Sequence, residues 1–157
     1  MQPKSIDKEL NVKKTIMSIL GKNGGRKMRL KIIDMKGIGP QEAYALRRAG
    51  YVYAAQLAGI TLKDLKGKVN LPDETLEKIV TLGNLITVDE LGTKYAYVLA
   101  KKEIGIRSLR DLAQSKPEEL LHKIEELNKK QKMLRILPNI NKVNTWISDA
   151  KTKQSTN

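Results

Sequence analysis

The chain has 157 residues, 40% of them hydrophobic and 30% charged, which is the composition of a globular protein that can bury a core and excludes a disordered polymer. Thirty Lys and Arg against 17 Asp and Glu give a formal net charge of +13, and such a surplus favours a polyanionic partner. The absence of Cys excludes a disulfide framework, a thiolate metal site and a cysteine nucleophile.

The N-terminal segment is strongly basic, with nine Lys and Arg against two acidic residues in the first 31 positions. Ser5 is a candidate cap for a helix that carries apolar residues from Ile6 to Leu20 near one face. The glycine-rich stretch Gly21–Gly25 then interrupts the pattern. The prediction for residues 1–27 is a basic arm on a glycine-rich joint, and the alternative is a first helix docked on the core. No apolar run has the length of a signal peptide or a membrane span, so we expect a cytoplasmic protein that does not enter a membrane, in association with a nucleoid or a ribosome as alternatives.

Short apolar runs at helical spacing follow this joint, separated by Gly and Pro. Gly50 is placed to end a helix, Thr61 to cap one and Asp73 to start one. Sustained alternation of apolar and polar residues is absent, so the sequence predicts an all-α fold without a sheet.

An internal repeat organises the rest of the chain. Residues 39–46 align with residues 92–99 at an offset of 53, and residues 50–58 align with residues 105–113 at an offset of 55. This predicts a first helical unit at 28–83 and a second at 84–151, joined near Gly83 and Asn84.

The C-terminal part of the second unit contains two further helical patterns. Ser115 and Pro117 suggest the cap and first turn of a helix that runs to about Met133. Pro138 is predicted to begin a last helix with one apolar face, formed by Ile140, Val143, Trp146, Ile147 and Ala150. We expect residues 152–157 to be a frayed tail.

The segment from Ile32 to Ala43, IIDMKGIGPQEA, contains two glycines around one apolar residue and then a proline. Such a turn is tight, its backbone N–H groups face outward, and Pro40 is preset for the first position of a helix. The N–H groups at that helix start carry partial positive charge and suit a phosphate oxygen. The segment resembles the helix-hairpin-helix motif, which implies an apolar helix before the turn and contacts with nucleic-acid backbone rather than bases.

The corresponding turn of the second unit is Glu90-Leu91-Gly92-Thr93, in which Glu90 replaces the first glycine and Asp89 lies beside it. Two carboxylates repel phosphate, and Lys94 compensates only in part, so this turn is expected to be degenerate and to pack or to bind protein. Residues from about Leu85 to Lys151 resemble a helix-hairpin-helix-containing domain family of unknown function. That resemblance implies a compact helical fold and brings no catalytic residues.

Other kinds of site find little support. His122 is the only histidine, so neither a metal site nor a Ser-His-Asp arrangement is expected, and no cofactor is predicted. The five tyrosines can stack on bases, but Tyr44 and Tyr97 match across the repeat and are predicted to be half-buried packing residues.

The sequence therefore favours a non-enzymatic protein that binds nucleic acid, DNA ahead of RNA, without sequence preference. The alternatives are a protein associated with RNA or the ribosome, and a helical adaptor whose partner surface is the second unit with the Trp146 helix. The candidate contact residues are Lys36, Gly37, Ile38, Gly39, Gln41, Arg47, Arg48, Arg26, Lys27, Arg29 and Lys94.

Overall fold

A computed structural model describes residues 29–155, so the predicted arm, with Arg26 and Lys27, lies outside the described residues. The described range contains no strand, and its helices confirm the predicted all-α class. They are α1 (Pro40–Arg48), α2 (Leu62–Lys66), α3 (Asp73–Leu85), α4 (Thr93–Leu99), α5 (Leu109–Ala113), α6 (Pro117–Gln131) and α7 (Ile140–Ser155). Two 3-10 turns, Ile32–Asp34 and Ala54–Leu57, complete the regular structure, and one antiparallel bridge joins Lys31 to Tyr53. None of the described helices combines the length and the apolar character needed to cross a membrane.

Several helix boundaries follow from local chemistry as the sequence predicts. The Thr61 hydroxyl accepts the Asp64 N–H at 3.2 Å and the Asp64 carboxylate accepts the Thr61 N–H at 3.0 Å, which caps α2. The hydrogen bond from the Thr61 backbone holds the pKa of Asp64 below its ordinary value. Gly50 follows the end of α1 with a φ of +98°, a conformation that favours glycine.

Other boundaries differ from the prediction. Ser115 does not cap α6, because its hydroxyl donates to the Asp111 carbonyl and Lys116 holds the N-cap position. The last helix begins at Ile140 rather than Pro138, since the Asn139 side chain accepts the Lys142 N–H at 2.8 Å. The apolar residues before the first glycine form only the 3-10 turn Ile32–Asp34, not the helix that the helix-hairpin-helix resemblance implies.

The end of α7 is ordered by a buried ion pair. Helix α7 continues through Ser155 although residues 152–157 were expected to fray. The Lys153 ammonium lies 2.7 Å from the Asp149 carboxylate and 3.6 Å from that of Asp89, with little exposure of any of the three side chains. Because a buried charge is stable only when it is paired, these contacts fix the end of α7 to the segment that leads into α4.

The hydrophobic core is continuous across the predicted boundary between the units. Helix α3 runs through residues 83 and 84 without a break, and buried side chains before and after it belong to one cluster. Helix α7 packs mainly against α5 and α6 and places Trp146 in that core, fully buried, with its ring 5.1 Å from the ring of Tyr95. The Trp146 side chain is therefore a core residue, and the suggestion that the helix bearing it forms part of a partner surface stays a prediction.

The two aligned segments have the same backbone features at matched positions. Gly37 and Glu90, which are 53 residues apart, both have positive φ, at 92° and 64°. Gly50 and Gly105, which are 55 residues apart, have φ of 98° and 84°. Three backbone hydrogen bonds also recur at these offsets. In the first segment they run from Ile38 N to Met35 O, from Ala43 N to Gly39 O and from Tyr51 N to Leu46 O. Their counterparts in the second segment run from Leu91 N to Val88 O, from Ala96 N to Gly92 O and from Ile106 N to Leu99 O. The sequence repeat is thus accompanied by a repeat of local conformation.

Candidate nucleic-acid interface

The first turn, residues 35–40, combines a left-handed glycine with a buried anchor. Gly37 has a φ of +92°, and Ile38 is 7% exposed with its N–H bonded to the Met35 carbonyl at 3.4 Å. Gly39 has a φ of −82° and occupies the N-cap of α1, and Pro40 is the first residue of that helix. The chain therefore reverses here as the sequence predicts, with Ile38 pointing into the core and the start of α1 at the surface.

The start of α1 carries both free donors and a carboxylate. Within the described part of the chain, the N–H groups of Gly37, Gln41 and Glu42 have no protein acceptor, as is usual for the first turn of a helix. The Gly39 N–H, in contrast, donates to Glu42 Oε1 at 3.3 Å. An anion that approached this helix start would find three amides available and a fourth held by Glu42.

The first turn packs directly against the start of α4. The Lys36 N–H donates to Thr93 Oγ1 at 2.7 Å. A methyl group on the Gly37 Cα would lie 2.5 Å from Tyr97 Cδ1, so a side chain there would collide with the Tyr97 ring. These contacts hold the first turn against α4, although 57 residues separate Lys36 from Thr93 in the chain.

The candidate cations divide into two groups. Lys36 lies on the first turn and Lys94 on the first turn of α4, next to Thr93 in the chain, and both side chains are exposed. Arg47 and Arg48 are also exposed but occupy the last turn of α1, roughly 10 Å along the helix from Gln41 at 1.5 Å per residue. Arg29 is exposed at the beginning of the described range. The structure therefore places Thr93, the residue before Lys94, in contact with the first turn, whereas Arg47 and Arg48 lie at the other end of α1.

The second turn, residues 88–93, differs from the sequence expectation in one respect. Glu90 is exposed, as expected for a repulsive carboxylate. Asp89, however, faces α7: its N–H donates to Asp149 Oδ2 at 2.8 Å and its carboxylate pairs with Lys153. The Asp89 carboxylate is thus held in a structural cluster with Lys153 and Asp149 rather than free at the turn, and the repulsion of phosphate expected from it alongside Glu90 stays a prediction.

Tyr44 is the second site residue that departs from expectation. Its side chain is 59% exposed, whereas its repeat counterpart Tyr97 is half-buried against Gly37. The Arg48 guanidinium lies 5.9 Å from the centre of the Tyr44 ring. The prediction of a half-buried packing residue therefore holds for Tyr97 but not for Tyr44.

Metal-binding geometry is not found in the described range. Between residues 29 and 155, no group of three or more His, Cys, Asp or Glu side chains is placed to hold an ion. His122 is exposed on α6.

Two polar side chains at this surface, Glu42 and Thr93, are not among the contact residues predicted from the sequence. Glu42 follows the N-cap glycine by three residues, which is the spacing of a capping-box carboxylate, and this pattern was a usable signal. Thr93 lies within the aligned repeat but gives no local signal for its contact with Lys36, because that contact depends on how the two segments pack.

Comparison with known proteins gives a family but no function. The chain matches no curated protein and no solved structure. Residues 36–153 match a family described as Domain of unknown function (DUF4332). The match starts at the first turn, whereas the resemblance noted in the sequence starts only at about Leu85. Because this match spans most of the chain, the protein belongs to the DUF4332 family of domains of unknown function.

Proposed function

We propose that this protein binds the backbone of nucleic acids, with duplex DNA as the favoured form and without sequence preference. The first turn acts as a helix-hairpin-helix-like phosphate site, and the start of α4 completes it. The observation that carries the proposal is the contact of the first turn with the start of α4, which we call the junction. Each of these two segments carries an exposed lysine, Lys36 and Lys94.

Charge supports a polyanionic ligand. The surplus is not confined to the N-terminal arm, since residues 29–155 hold 23 Lys and Arg against 15 Asp and Glu. Successive phosphates of a backbone at the junction would meet the free amides of Gly37, Gln41 and Glu42 and the ammonium groups of Lys36 and Lys94. None of these groups distinguishes one base from another, so binding of this kind does not depend on sequence.

Two carboxylates oppose an anion at this surface. Glu42 holds the Gly39 N–H and must move aside for a phosphate to use that donor. Glu90 lies exposed on the second turn. Their presence predicts moderate affinity and a gain in affinity when either charge is removed.

The test is duplex binding by charge-neutral variants, measured by fluorescence anisotropy at one low salt concentration. The pair Lys36→Gln and Lys94→Gln is expected to weaken binding about tenfold, or about 1.4 kcal/mol. The matched pair Lys123→Gln and Lys130→Gln on α6 removes the same charge elsewhere and is expected to have a smaller effect. Glu42→Gln keeps a hydrogen-bond acceptor for Gly39 and is expected to strengthen binding. Equal losses for both lysine pairs would contradict a localised site, and structured RNA in a parallel titration tests the RNA alternative.

A protein-adaptor role is the second candidate, and one observation favours it. Ile136 and Leu137, in the segment between α6 and α7, are 76% and 42% exposed. Adjacent exposed apolar side chains of this kind are typical of protein contacts. If Ile136→Asp abolishes a protein contact while the lysine variants bind every nucleic acid normally, the adaptor role is the correct one.

A further inference from the structure

An apolar groove of about 330 Å³ lies on the outer side of α1. Its walls are the segment 31–33, the outward side of α1 and the segment 51–52. The lining residues are Lys31, Ile32, Ile33, Pro40, Ala43, Tyr44, Arg47, Tyr51 and Val52, none of which is acidic. Apolar surface is thus left open to solvent directly beside the proposed phosphate site, because Pro40 both lines the groove and begins α1.

Two tyrosine rings line this groove, and each has a cation near its face. Tyr44 is 59% exposed with the Arg48 guanidinium 5.9 Å from its ring centre. Tyr51 is half-buried with the Lys68 ammonium at the same distance from its ring. A core packing role does not account for Tyr44, since most of its surface faces solvent.

We propose that this groove receives an unpaired base of single-stranded nucleic acid, stacked on Tyr44, while Lys31 and Arg47 contact the flanking phosphates. The inference rests on the proposed function and adds a ligand class to it. Stacking on an aromatic ring does not distinguish bases, so it agrees with binding that lacks sequence preference. The bases of a duplex are already stacked and paired. Only a single strand can therefore place a base in the groove without breaking base pairs.

The charge of the groove argues against the chain's own arm as its occupant. Residues 1–27, which form the predicted arm, carry seven basic and two acidic residues, and the rim of the groove is also basic. Two cationic surfaces repel each other, whereas a phosphate-linked base brings negative charge to the rim and a flat apolar ring to the floor.

The experiment compares three labelled probes of equal length on the full chain by fluorescence anisotropy: an oligothymidine, a base-free deoxyribose-phosphate strand and a duplex. Tyr44→Ala is expected to weaken oligothymidine binding about tenfold or more and to leave the affinities for the base-free strand and the duplex unchanged. Tyr44→Phe keeps the ring and is expected to bind oligothymidine normally. Tyr53→Ala is the matched control, because Tyr53 is 42% exposed but does not line the groove.

Each remaining outcome contradicts the inference in a recognisable way. If wild-type protein binds oligothymidine and the base-free strand equally and Tyr44→Ala changes neither, bases do not occupy the groove, while duplex binding leaves the proposed function intact. If Tyr44→Ala instead abolishes capture of an acidic, leucine-containing peptide and spares all three probes, the groove is a protein site. If no nucleic acid binds at all, the proposed function fails together with the inference.

Discussion

Gly37 has a φ of +92°, and a methyl group on its Cα would lie 2.5 Å from one carbon of the Tyr97 ring. Gly39, two residues on, has a φ of −82°, and the three atoms nearest to its missing Cβ belong to the Glu42 carboxylate, at 3.1 to 3.4 Å. The two glycines of the turn therefore have different roles. Gly37 permits both the left-handed conformation and the close approach of α4, whereas Gly39 requires neither.

Alanine substitutions separate these roles. We expect Gly37→Ala to lower the free energy of unfolding by about 3 kcal/mol, from left-handed strain together with the collision with Tyr97. Gly39→Ala is expected to cost less than about 1 kcal/mol, because the Glu42 side chain can move. Urea denaturation followed by circular dichroism measures both, and equal losses for the two variants would contradict the packing of the first turn on α4.

Local sequence signals predict single residues well when the partner is close in the chain. Thr61 and Gly50 were identified because a cap or a left-handed glycine acts on its own helix end. The exposure of Tyr44 could not be predicted, since the repeat matches it to Tyr97 but only Tyr97 has a neighbouring segment to pack against.

Helix α3 is the element that joins the two repeated segments. Gly83 lies in it at the predicted boundary, where a Cβ would come within 2.6 Å of the Leu57 Cβ and 2.9 Å of the Leu57 carbonyl oxygen. The neighbouring Asn84 bonds the Gly59 N–H and the Ile60 carbonyl. The glycine at this position therefore allows the 3-10 turn Ala54–Leu57 to sit against α3 rather than acting as a flexible joint.

Gly83→Ala tests this close packing. Alanine favours a helix over glycine by about 1 kcal/mol, but overpacking against the Leu57 backbone costs about 1–3 kcal/mol, so we expect a net loss of stability. Gly67→Ala is the matched control, because no atom lies within 4 Å of its missing Cβ and its φ is −80°. The midpoints of urea unfolding of the two variants and the wild type measure the change in stability. A Gly83→Ala variant that is more stable than the wild type would contradict the described contact.

Element boundaries that depend on distant partners were predicted poorly. The end of α7 was expected to fray because residues 151–157 are polar. Lys153 nevertheless forms an ion pair with Asp89, which lies far from it in the chain. The helix expected before the first turn is only the 3-10 turn Ile32–Asp34 within the described range, because the backbone of Ile32 instead bonds the Val52 carbonyl at 2.9 Å. Both outcomes are tertiary contacts that override a local pattern.

At the level of the whole molecule, the net charge and the junction of the first turn with α4 both favour a polyanionic ligand. A formal charge of +13 attracts any polyanion, but only a localised site gives specific lysines a larger share of the binding. The all-α class could be predicted from hydrophobic spacing and the repeat from the alignment of the two segments, whereas the contact of Thr93 with the first turn required the packed structure.

The salt dependence of duplex binding tests the proposed function most directly. If about five phosphates are neutralised, log K is expected to fall against log salt with a slope near −4.5, at about −0.9 per phosphate. The pair Lys36→Gln and Lys94→Gln removes two of these contacts and is expected to bring the slope to about −2.7. Affinity that does not change with salt, no detectable binding, or an unchanged slope in the double variant would contradict a phosphate site at the junction of α1 and α4.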